Sequence, residues 1–159
     1  MKQAIKKGFS FGLTSGVITT LGLIIGLAFS TQSRLAVIGG VITIAVADSL
    51  SDALGIHISE ESNKETSHKK VWISTIATGF YKFIIALTFL IPILLLSLTS
   101  AIIASIIWSF LLLGYITIII SKDRNQSPIR PLIEHYTIAI MVIILTFYVG
   151  TFINNLFLG

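Results

Sequence analysis

The sequence predicts an all-α integral membrane protein of five transmembrane helices. Three observations carry that prediction. Hydrophobic residues make up 54% of the 159 residues and charged ones only 11%. The mean hydropathy is +0.94, far above that of a water-soluble domain. Finally, five apolar runs follow one another, each long enough for the roughly 20 residues that a helix needs to cross the hydrocarbon core. Little chain remains outside these runs, so the expectation is a single transmembrane domain over residues 1–159.

The runs cover approximately 8–29, 35–58, 72–98, 100–121 and 131–158. The third and fourth are nearly continuous. Pro92 and the polar break Ser97-Leu98-Thr99-Ser100 divide them, predicting a tight turn at the membrane surface. The remaining connections are Ser30 to Arg34, Ser59 to Val71 and Lys122 to Arg130. Lys2, Lys6, Lys7, Lys64, Lys69, Lys70, Lys122, Arg124 and Arg130 fall at one end of this arrangement and only Arg34 at the other. Cationic flanks resist translocation, so the crowded end is expected to be cytoplasmic. The amino terminus then lies inside and Gly159 outside. A cleaved signal peptide ending near Ala28-Phe29-Ser30 is the rival reading of the first run, which is too long for a signal core. The plain Lys-flanked first helix fits a prokaryotic plasma membrane.

Several function classes are excluded or weakened. Cysteine is absent, which removes thiolate metal ligands, thiol nucleophiles and disulfides. The net charge of +4 is spread over short clusters between apolar runs, so no nucleic-acid partner is expected. An enzyme is not expected either. Asp48 and Asp52 resemble the end of the aspartate-rich motif of membrane CDP-alcohol phosphotransferases, but position 44 is Ile and no earlier aspartate exists to complete a two-metal site.

In the first helix Gly8, Gly12 and Gly16 repeat every four residues, as do Gly22 and Gly26. This spacing puts small residues on one face, where another backbone can approach closely within the chain or across a dimer. The second helix carries Asp48, Ser51, Asp52, Gly55 and Ser59 in one polar stripe. Asp48 lies roughly 15 Å from the cytoplasmic end, near the bilayer midplane. A carboxylate there costs on the order of 3 kcal/mol on insertion scales, so it should face protein or water. Two carboxylates one turn apart offer hard oxygen ligands to a divalent cation, or a place to share a proton. The transport path is accordingly placed at Asp48, Ser51, Asp52 and Ser59. Lys82 in the third helix reaches the same depth and is the candidate counter-charge; pairing with Asp48 would leave Asp52 over. If the second helix continues past the membrane, His57, Glu61, Glu65 and His68 share a face, with Glu60 beside them, as a possible metal entry. The same residues with Lys64, Lys69 and Lys70 also describe a solvated helix with i, i+4 ion pairs. Glu134, beside His135, is expected to snorkel to the interface without a role.

These segments resemble the vacuolar iron transporter family of plant and yeast carriers and nodulin-like proteins. Ser10-Phe11-Gly12-Leu13-Thr14 resembles the family's Ser-Asp-Gly-Leu-Thr, and the stretch from Ala47 to Ser59 resembles its Ala-Gly-Ala-Leu-Ser-Met-Ala-Leu-Gly-Glu-Tyr-Leu-Ser. Gly114, Ser127-Pro128 and Tyr148-Val149-Gly150 are similar to its last two helices. The resemblance implies a homodimer with a path between the first two helices of each subunit and proton-coupled export of Fe2+ or Mn2+. It also marks departures. Phe11, Ile44 and Asp52 stand where the family has aspartate, glutamate and methionine, and the long cytoplasmic metal-binding domain is missing. A carboxylate in place of a thioether favours harder cations, extending the expected cargo to Mg2+ or Ca2+. The alternative is a non-transporting scaffold or sensor whose aspartates are neutralised by Lys82.

Overall fold

The computed structural model describes residues 1–157 and is helical throughout, with no strand among them. The end of the fifth apolar run at Leu158 and the terminal Gly159 lie outside the described residues. The helices are α1 (Lys2–Thr31), α2 (Arg34–Glu61), α3 (His68–Thr88), α4 (Leu90–Leu95), α5 (Leu98–Asp123) and α6 (Ile129–Phe157). Five spans are long and apolar enough to cross a membrane, with α3 and α4 together making the third, His68–Leu95.

The predicted turn at Ser97 is present: the Ser97 hydroxyl accepts from the Ser100 backbone N–H and starts α5. Pro92 acts elsewhere. It lacks the N–H that would reach the carbonyl of Thr88, and its ring crowds that carbonyl. The helix accordingly breaks at the fully buried Phe89, three residues earlier, and resumes as the short α4.

Two tight connections tie the opposite ends of the bundle. At one end α1 stops at Gln32, which adopts the left-handed conformation and donates its N–H to Ala28 O, and Ser33 then caps α2. Arg34 serves α4. Its guanidinium donates from Nε to Ile93 O at 2.7 Å and from Nη2 to Leu94 O, satisfying carbonyls that the helix end leaves free. At the basic end Lys7 pairs with Glu60 and Lys6 with Asp123, joining α1 to α2 and to α5.

The first helix is the axis of the bundle. It packs against α2, α3, α5 and α6, and Val17, Leu21 and Ile24 along it are fully buried. Its glycines divide their work. Gly8, Gly12 and Gly16 face α3: a Cβ added at Gly12 would stand 2.5 Å from Thr78 O, and one at Gly16 would stand 3.3 Å from Lys82 Cγ. Gly22 and Gly26 face α6, where Gly150 answers them; a Cβ at Gly150 would come within 2.6 Å of Gly26 O. The close approaches made by these small residues lie within the chain. By contrast α6 buries little beyond Ala139 and Gly150 and presents most of its length outward.

Candidate functional site: a lysine between two aspartates

The site forms where α1, α2 and α3 meet. Lys82 stands on the face of α3 that rests on Gly12 and Gly16, and the absence of side chains there lets its stem lie between the helices. The residue is 1% exposed and heads the fully buried side chains by size. An ammonium has three protons to place. Lys82 Nζ donates to Ser15 Oγ at 2.9 Å and to Asp52 Oδ2 at 2.5 Å. It also lies 2.5 Å from Asp48 Oδ2. That last oxygen is enclosed yet has no aligned hydrogen bond, so the contact with Asp48 is an ion pair in distance only.

Ser15 closes the arrangement. Its hydroxyl donates to Asp52 Oδ2 at 2.6 Å while accepting from Lys82, giving a triangle of serine, carboxylate and ammonium across three helices. The two carboxylates are not sealed. The Asp48 side chain is 25% exposed and that of Asp52 20%, against 2% for Lys82. Two carboxylates thus stand against a single ammonium near the middle of their spans.

Lys82 therefore engages both aspartates, not one with Asp52 left over. The rest of the polar stripe does not join them. Ser51, Gly55 and Ser59 are exposed, with nothing within 4 Å of a Cβ built at Gly55. The buried face of α2 runs through Val41, Ala45 and Ser49. Asp48 and Asp52 flank that face, whereas Ser51 lies roughly 200° round from Ser49 at 3.6 residues per turn.

The metal-entry face through His57, Glu61, Glu65 and His68 does not form. Helix α2 ends at Glu61, the segment Ser62 to Ser67 turns, and His68 begins α3. A local side chain competes with the helix here: Asn63 Oδ1 accepts from the Glu65 backbone N–H at 3.1 Å. Glu60 is buried and held by Lys7. His57 is engaged by α3, its Nδ1 3.0 Å from Thr75 Oγ1 and its ring edge-on to Trp72. Because the Thr75 hydroxyl proton goes to Val71 O, the histidine must donate. His68 accepts from the Trp72 indole. No group of three or more His, Asp or Glu side chains able to hold a metal occurs among the described residues. Glu134 pairs with Arg130 at 3.0 Å on the exposed first turns of α6.

The residue that sequence reading missed is Ser15. A hydroxyl between Gly12 and Gly16 was the available signal, since small-residue runs bring a neighbouring helix within hydrogen-bond reach. No family model, curated protein or solved structure matches this chain.

Proposed function

We propose that the protein is a proton-linked carrier of hard divalent cations, in which the cation and the Lys82 ammonium alternate between Asp48 and Asp52. The observation that supports this most directly is the partial exposure of both carboxylates around a fully buried ammonium. A carboxylate that keeps part of its surface open can be reached by an incoming cation or proton, whereas one sealed on every side by packing cannot.

Charge neutrality gives the coupling. A buried site is least costly when its net charge is near zero. With Lys82 charged, one added proton on an aspartate reaches neutrality. With a divalent ion between two ionised aspartates, Lys82 must be neutral to reach it. Passing from one state to the other releases two protons for one cation and moves no net charge. The available donors, Asp48, Asp52 and Ser15, are all oxygen, which suits Mn2+, Mg2+ or Ca2+ better than Fe2+. The resemblance of α1 and α2 to the vacuolar iron transporters supports the same class of cargo. A second copy of the chain would give the homodimer which that resemblance implies. A prokaryotic plasma membrane is the setting this reading fits.

A second reading has its own support. The ammonium already meets three oxygens, which favours a scaffold or sensor in which Lys82 neutralises the aspartates permanently. Reconstituted vesicles separate the two. The carrier moves Mn2+ against two protons without responding to membrane voltage, and Asp48→Asn and Asp52→Asn lose that flux. Wild-type vesicles that pass none of the four cations leave the scaffold.

A further inference from the structure

On the side of the bundle away from Lys82, α2 and α3 part to leave a groove of about 470 Å³. Its floor is made of small residues, Ser49, Ala53 and Gly79, and its rim of Leu50, Ile76 and Phe80. The rim residues are 66%, 63% and 58% exposed. Gly79 lets the floor close: its missing Cβ would sit 3.3 Å from Ala53 Cβ and 3.4 Å from Ser49 O. The groove thus opens toward the lipid with a continuous apolar bed.

One face of α3 carries this groove to the basic end of the molecule. Lys69, Trp72, Ile76 and Phe80 follow at spacings of three, four and four and share that face. Lys69 stands roughly 10 Å along the helix from Ile76. Trp72, half exposed between them, is of the type that favours the membrane interface. Among the described residues Lys69 and Lys70 form no ion pair, whereas Lys6, Lys7 and Arg130 each hold a carboxylate. Lys64, Lys69 and Lys70 outnumber the exposed Glu61 and Glu65 of the same connection, which stays net basic.

We propose that this groove is a binding site for one anionic phospholipid, with an acyl chain along the Ala53–Gly79 floor and the phosphate against Lys69 and Lys70. Charge complementarity selects the headgroup, and the apolar floor receives the chain. The occupant bridges the two helices that carry Asp48, Asp52 and Lys82, so it braces the site from behind.

The purified protein in neutral detergent tests this by native mass spectrometry and thermal unfolding. Phosphatidylglycerol is compared with phosphatidylcholine of the same chains and with chainless glycerophosphate. One phosphatidylglycerol is retained per chain and raises the unfolding temperature; the other two do so weakly or not at all. Lys69→Gln with Lys70→Gln weakens retention roughly thirtyfold, from the attraction of two surface lysines. Ala53→Phe fills the groove and removes the lipid. Should Ala53→Phe not fold, the lysine pair decides alone, because both side chains lie outside the packed interior. Equal retention of the two lipids, indifference to the lysines, binding of glycerophosphate as tight as that of the lipid, or a lipid-free dimer covering the groove would each overturn the proposal.

Discussion

Lys82 is the residue on which the interior depends. Among the described residues it is the one charged side chain that is fully buried, and three oxygens from α1 and α2 converge on it. Removing it leaves two carboxylates facing each other with only Ser15 for company. Breaking a buried pair in this way costs about 3–5 kcal/mol, because the unpaired charge stays behind. Lys82→Met is therefore expected to lower the unfolding temperature sharply in detergent. Adding Asp48→Asn and Asp52→Asn to it should restore most of the loss, since the like charges disappear together. Ser15→Ala is milder. It deletes one bridging hydroxyl and should cost about 1 kcal/mol. A Lys82→Met protein as stable as the parent would mean that the ammonium contributes nothing to the fold.

Among the elements, α1 decides the geometry of the others. Its Gly8-Gly12-Gly16 face sets the distance to α3 and its Gly22-Gly26 face the distance to α6. Adding even a methyl at Gly12 drives a carbon to 2.5 Å from a backbone oxygen, and backbone cannot yield as a side-chain tip can. Gly12→Ala is expected to destabilise by about 1–3 kcal/mol or more, as overpacking does. Gly55→Ala is the matched control in α2, with open space around it, and should be neutral or slightly stabilising because alanine is the better helix former. Comparing the two unfolding temperatures checks the assignment. The period of the glycines was legible in the sequence, since helical spacing is local. Which neighbour filled each face was not, because it depends on residues some sixty or more positions away.

At the scale of the molecule, α1 is held at the basic end by Lys7–Glu60 and Lys6–Asp123, and α6 by Gly150 and by the Asn154 amide, which donates to Ser30 O. These ties put the chain's first turn, the Ser62–Ser67 segment and the 124–128 segment together, opposite Gln32 and Ser97. The distribution of lysine and arginine predicts which end faces the cytoplasm. Reporter fusions at the amino terminus and within residues 62–67 should read as inside, and one inserted at the Ser97 turn as outside. The reverse pattern would contradict the charge argument.

The sequence by itself determined the number of spans, their approximate limits and the matching positions of Asp48 and Lys82 along their helices. Those properties follow from run length and rise per residue, which need no partner. It did not determine that α2 stops at Glu61 and scatters the His57, Glu65 and His68 set, because a short side-chain bond at Asn63 competes there with the helix. Nor did it determine that Ser15 and both aspartates close on a single ammonium. That contact exists only because glycines in α1 let α3 come near enough for a lysine to cross the gap, a distance that packing alone decides.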